Sequence, residues 1–98
     1  MVFELHLTKV IQKDFDRIPQ ICFEKISKEI LKLKQNPFPE KKRIKRIKGT
    51  KLPLYHLRVD TPNDSYRIFY FVERPNVILL LRAVSKKTAD RVIRSILN

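Results

Sequence analysis

At 98 residues the chain has room for one domain (1–98) with a small core, and 43% hydrophobic content with a single glycine excludes a disordered tail. Twenty-two Lys and Arg against ten Asp and Glu give a formal charge of +12. Such self-repulsion suits a polyanionic partner: nucleic acid first, the ribosome included, then an anionic membrane, then an acidic protein.

One cysteine, Cys22, excludes an internal disulfide, and with only His6 and His56 beside it a conventional zinc site has no ligand set. No run of about 18 apolar residues occurs and the N-terminus lacks an apolar signal core, so the sequence reads as cytosolic, without a membrane partner.

Residues 2–7 alternate, with Phe3, Leu5 and Leu7 on one side and Glu4 and His6 on the other, which predicts a half-buried strand. Thr8 is placed to cap a short helix carrying Ile11, Phe15 and Ile18 on one side, and Pro19 punctuates it. A second helix is expected from about 20 to 35, with Cys22, Ile26, Ile30 and Leu33 inward and Lys25, Lys28 and Lys32 outward. The Asn36-Pro37-Phe38-Pro39 segment ends it, because proline cannot continue the ladder. The pair forms a helical hairpin, and Cys22 reads as a small buried apolar residue.

Residues 41–51 then carry seven basic side chains and no acid: Lys41, Lys42, Arg43, Lys45, Arg46, Lys48 and Lys51, interleaved with Ile44 and Ile47. Two readings compete, a solvated turn anchored by its isoleucines or a stretch that faces phosphates. Holding about a third of the positive charge, it favours the second.

Three strands follow. Residues 54–59 alternate Tyr55, Leu57 and Val59 against Leu54, His56 and Arg58, and 60–65 form a polar turn. In 66–72, Tyr66, Ile68, Tyr70 and Val72 take the packing parity, which leaves Arg67 on the opposite face. Residues 77–84 are almost continuously apolar, as expected of an interior strand covered on both faces, with Arg82 the exception. Ala89, Val92, Ile93, Ile96 and Leu97 recur at helical spacing, with Ser85 or Thr88 as cap. The expected class is α+β in the order β-α-α-β-β-β-α, a helical hairpin on a small antiparallel sheet.

Strand parity places His56, Arg58 and Arg67 on one face. Cleavage of RNA by its own 2′-hydroxyl requires a base, cations for the phosphorane and an acid for the departing 5′-oxygen. His56 is the side chain whose ordinary pKa suits the base, Arg58 and Arg67 can grip phosphate oxygens, and Lys87 or Lys86 can serve the leaving group. No metal or cofactor is needed. The duller alternatives are a surface histidine, phosphate contact without chemistry, and arginines paired with Asp60 and Asp64. For Arg82 they are a place in the cation cluster, a cap at the sheet's end, or a bond to the C-terminal helix or a partner.

In chain order, Lys45-Arg46-Ile47-Lys48-Gly49, Tyr55-His56-Leu57-Arg58-Val59, Tyr66-Arg67-Ile68-Phe69-Tyr70 and Leu80-Leu81-Arg82-Ala83-Val84-Ser85-Lys86-Lys87-Thr88 resemble four segments of the RelE/ParE toxin superfamily, the last in its HigB-like form. The resemblance covers nearly the whole chain and implies the RelE-like microbial RNase fold. It further implies a translation-inhibiting toxin that cleaves mRNA on the ribosome without metal, held silent by an acidic antitoxin. It carries catalytic positions onto His56, Arg58, Arg67 and Lys87, with Lys86 the neighbouring choice. Lys41, Lys42, Arg43, Lys45, Arg46, Lys48, Lys51, Arg82 and Lys86 are the corresponding candidates for RNA or ribosome contact. The strand lysines of the family are replaced here by His56 and Arg58. The family's C-terminal tyrosine has no counterpart, Asp90 or Ile93 standing near its place. The competing readings are a ParE-like, non-enzymatic gyrase poison and a catalytically degenerate RNA-binding member.

Overall fold

The computed structural model describes residues 2–39, 42–49, 51 and 53–97. The first strand, β1 (Glu4–Leu7), leads into α1 (Lys9–Arg17), whose N-cap Thr8 accepts the Ile11 N–H at 3.1 Å through its hydroxyl oxygen. Ile18 and Pro19 separate α1 from α2 (Gln20–Leu33), and the two helices form the expected hairpin. Cys22, Ile26, Ile30 and Leu33 are buried along one stripe of α2, because positions three and four apart share a helix face.

A short strand, β2 (Ile44–Arg46), was not expected, and it corrects the order to β-α-α-β-β-β-β-α. After it come β3 (Leu54–Asp60), β4 (Ser65–Glu73), β5 (Val77–Ser85) and α3 (Lys86–Leu97). The physical reason for β2 is an edge: the sheet runs β1-β5-β4-β3-β2, and exposed edge strands carry lysines that discourage pairing with other chains. Gly49, at φ 95°, lies in the turn that returns the chain towards β3, a backbone region that penalises a Cβ. β2 to β5 pair antiparallel, and β1 adds parallel to β5, so the two ends of the chain share one sheet.

The alternation in β3 and β4 separates two apolar clusters. Tyr55, Leu57, Val59, Tyr66, Ile68, Tyr70 and Val72 pack beneath the hairpin with Ile11, Cys22 and Ile26. Leu54 and Phe69 belong to the opposite face, where Ile47 joins Ala89 and Val92 of α3. β5 is thus covered on both sides, as its apolarity implied. Leu7 departs from the sequence reading: it is 44% exposed, beside an exposed Val10 at the end of edge strand β1.

Beyond Leu80, β5 has no strand on its outer side, and α1 supplies partners instead. The Thr8 hydroxyl donates to the Leu81 carbonyl at 3.2 Å, while Asp14 accepts from the Ala83 N–H at 2.9 Å and from Arg82 at 2.8 and 3.2 Å. Asp14 is only 6% exposed. Asp14→Ala should therefore cost about 2–4 kcal/mol, below the full value for a buried pair because Arg82 can turn to water. Urea denaturation tests this; a loss under about 0.5 kcal/mol, the size of an ordinary surface change, would mean the pair does not anchor α1.

Candidate active site

β3 and β4 place two guanidinium groups against each other, since Arg58 pairs in register with Arg67 and His56 with Phe69. On the outer side of β3, Lys45 pairs with His56. His56, Arg58 and Arg67 do share one concave surface: with Lys42, Arg43 and Lys45 they line a cleft of about 60 Å³. All six described lining residues are basic or imidazole. That size admits a phosphate and its immediate substituents, far below the roughly 300–1,000 Å³ of a small-molecule pocket.

Two cations facing one another need an anion, and the resting site offers one only at its exposed rim. Arg58 lies 3.4 Å from the Asp60 carboxylate, and both side chains are about half exposed or more, so the pair contributes little. Arg67 donates to the Ser65 hydroxyl at 2.9 Å and the Tyr66 carbonyl at 3.2 Å, and the Ser65 hydroxyl donates onward to Asp60 at 2.6 Å. That Ser65 bond foremost holds Asp60 below the usual carboxylate range; desolvation opposes it, and the charges of Arg58, Arg67 and Lys25 add to the lowering. Burial, followed by the Arg58 charge, lowers the proton affinity of Arg67 while Asp60 partly offsets it. Arg67 still remains a cation at neutral pH. Asp60 thus tethers both arginines from the rim without occupying the cleft.

His56 is the half-buried member. Its ring lies 5.6 Å from that of Phe69, and its Nδ1 is buried with no hydrogen-bond partner among the described residues. Burial foremost, then Arg67 and Lys45, pushes its pKa below 6.5. The neutral imidazole, which can accept a proton, is the resting form.

The remaining candidates scatter. Strand alternation splits the basic run: Lys42, Arg43 and Lys45 reach the cleft, but Arg46 pairs with Tyr55 and lies on the hairpin face. Arg43 also bonds Glu29 at 2.9 Å. Lys48 and Lys51 are exposed around the Gly49 turn and do not line the cleft, and Lys41 lies outside the described residues. Arg82 faces Asp14 in a pocket of about 550 Å³ between α1 and α3, apart from the cationic cluster. Lys86 and Lys87 are exposed at the start of α3, directly after Ser85, which pairs with Tyr66 next to Arg67. Ile93 packs against the α3 core and Asp90 is exposed.

Asp14 was missed, although its position signals it: Ile11, Asp14, Phe15 and Ile18 follow i, i+3, i+4, i+7, so one acid interrupts the apolar stripe of α1. The one arginine inside β5 is the matching anomaly. Among the described residues no group of acids, histidines and cysteine could hold a metal, and no helix is long and apolar enough to cross a membrane.

A hairpin on one sheet face, a C-terminal helix on the other and a cationic cleft beside it define a protein of the RelE-like toxin class. Residues 13–96 match the family described as "Phage derived protein Gp49-like (DUF891)". Over 88 residues, 89% of this chain and 92% of the relative, it is 31% identical to a candidate toxin RelE1 of Methanocaldococcus jannaschii. It is similar in fold to the crystal structure of the archaeal RelE-RelB complex from Pyrococcus horikoshii OT3 at TM-score 0.71 and 24% identity, over 88% of this chain and 97% of that one. A mutant of the E. coli toxin RelE in the free state superposes at TM-score 0.76 with 16% identity, over 97% and 93% of the two chains. A third likeness is the toxin-antitoxin complex RelBE2 from Mycobacterium tuberculosis, at TM-score 0.70 and 16% identity over 88% and 100%. The chain belongs to the Gp49-like family, within the RelE-like toxin superfamily.

Proposed function

We propose that the protein is the toxin of a toxin–antitoxin pair and a metal-free, ribosome-dependent mRNA endonuclease that arrests translation. The observation carrying this reading is the convergence of a neutral imidazole and two opposed guanidinium groups on one phosphate-sized cleft. His56 removes the proton from a ribose 2′-hydroxyl, whose oxygen attacks the adjacent phosphorus. Arg58 and Arg67 hold the non-bridging oxygens as negative charge builds on the phosphorane. The bond to the 5′-oxygen breaks, and Lys87, or Lys86 beside it, supplies the proton. The products are a 2′,3′-cyclic phosphate and a 5′-hydroxyl.

The family likeness supports the toxin role, and two of the structural relatives are complexes with an antitoxin. A surface of formal charge +12 suits an acidic antitoxin segment and speeds its encounter. It equally suits the phosphates of mRNA and ribosomal RNA in the cytoplasm. Expression in growing cells followed by mapping of mRNA 5′ ends tests the reading. Cuts within coding sequence that disappear with Arg67→Ala are expected. Intact mRNA with a DNA-damage response would overturn it in favour of a gyrase poison.

A further inference from the structure

We infer that a second pocket, on the hairpin face of the sheet, takes an unpaired base of single-stranded RNA through Phe38, Tyr55, Arg46 and Arg74. The inference rests on the RNA-directed reading above and extends it to a surface that reading does not use. Its origin is the alternation of β2, which sends consecutive cations to opposite faces: Lys45 to the phosphate cleft, Arg46 to a cavity of about 920 Å³ on the other side. The cleft is too small for a base, whereas the cavity matches the size range of ligand pockets.

The wall of this cavity is a set of fixed rings. Phe38 stands edge-on between Phe3 at 6.0 Å and 79° and Tyr55 at 6.1 Å and 78°. Tyr55 is stacked on Tyr70 at 5.7 Å, and the Tyr70 hydroxyl donates to the Pro37 carbonyl at 2.7 Å. The Phe38 N–H donates to Asn36 Oδ1 at 3.1 Å. Yet Phe38 is 40% exposed. A ring exposed but already oriented loses little rotamer freedom when a ligand stacks on it. Arg46 and Arg74 are exposed at the rim for the sugar-phosphate chain, and the Glu73 carboxylate can accept from a base N–H. Aromatic platform, flanking cations and a polar edge contact are what a splayed base requires.

Position favours RNA over an acidic peptide. β2 is the sheet's edge, so the Lys45 side and the Arg46 side are separated by one outer strand with no further strand beyond it. A strand with one phosphate in the cleft can cross β2 and deliver an adjacent base to the pocket.

The test is fluorescence anisotropy of the purified protein with a labelled 2′-O-methyl RNA octamer, which lacks the attacking hydroxyl and so remains uncut. Phe38→Ala should weaken binding roughly 5- to 150-fold, the worth of one stacked base, while Phe38→Tyr preserves it. Phe38→Leu retains apolar volume without a π face, so it should lose affinity while keeping the wild-type circular dichroism and melting temperature. Arg46→Gln should reduce the salt dependence, which Phe38→Leu leaves unchanged. Wild-type affinity in both Phe38→Ala and Phe38→Leu overturns the inference, as does loss of binding to an acidic protein partner with RNA binding intact. These outcomes leave the nuclease reading standing if Arg67→Ala still abolishes the mRNA cuts. Cuts that persist in Arg67→Ala would sink that reading without touching the octamer result.

Discussion

Arg67→Ala should lower ribosome-dependent cleavage by at least about 100-fold, the usual loss when one preorganised donor to a developing anion is removed. Arg58 and Arg67 sit in register on adjacent strands and their charges oppose each other in the resting protein. A phosphorane converts that repulsion into attraction at the point where its own charge is greatest, so their contribution is larger in the transition state than in the ground state. Removing Arg67 leaves Arg58 without its guanidinium partner on the facing strand when the extra charge builds. Arg67→Lys should recover only part of the rate, because an ammonium keeps the charge and loses the planar fork that spans two oxygens. Stability should change far less than activity. The substitution sacrifices the bonds to Ser65 and Tyr66 but relieves the like-charge contact, so the melting temperature should stay within a few degrees of wild type, the scale of about 1 kcal/mol. Single-turnover cleavage on stalled ribosomes measures the first effect and a thermal melt the second. Cleavage within threefold of wild type would remove Arg67 from the chemistry, and an unfolded variant would make its role structural.

The site was legible where strands are half-buried. In β3 and β4, period-two alternation under a helical hairpin leaves one register for Tyr55, Leu57, Ile68 and Tyr70, and that register fixes where His56, Arg58 and Arg67 emerge. It was illegible where charge masks pattern. β2 is three residues long and lies in a run of lysines and arginines, residues that solvated turns also favour. Only pairing with β3 reveals that Lys45 and Arg46 point to opposite faces. The Arg82–Asp14 pair joins residues 68 positions apart, and local periodicity carries no information about which acid meets which base. Sequence thus grouped Arg82 with the phosphate-facing cations, while the fold engages it in holding α1 to the open edge of β5.

His56 carries the second large effect. His56→Ala should reduce cleavage by about 10²–10⁴-fold, the range for a positioned general base, while ribosome affinity changes little, because the ring contributes no charge at neutral pH. The direction of its pKa sets the pH dependence. Burial, reinforced by Arg67 and Lys45, makes protonation harder in the folded protein than at the ordinary value of 6.5. The acidic limb of the cleavage rate should accordingly have its midpoint below 6.5, and Lys45→Met should shift it upward by removing one of the charges that oppose the proton. Stability follows the same linkage. An unfolded chain takes up the imidazole proton first as pH falls, so His56 costs stability from about pH 6.5 down to its folded midpoint and adds no further loss below it. Titration of the His56 ring by NMR in the wild-type and Lys45→Met proteins measures both midpoints. A midpoint at or above 6.5 would leave a substantial imidazolium population near neutrality and recast His56 as a proton donor to the 5′-oxygen, with some other group as the base.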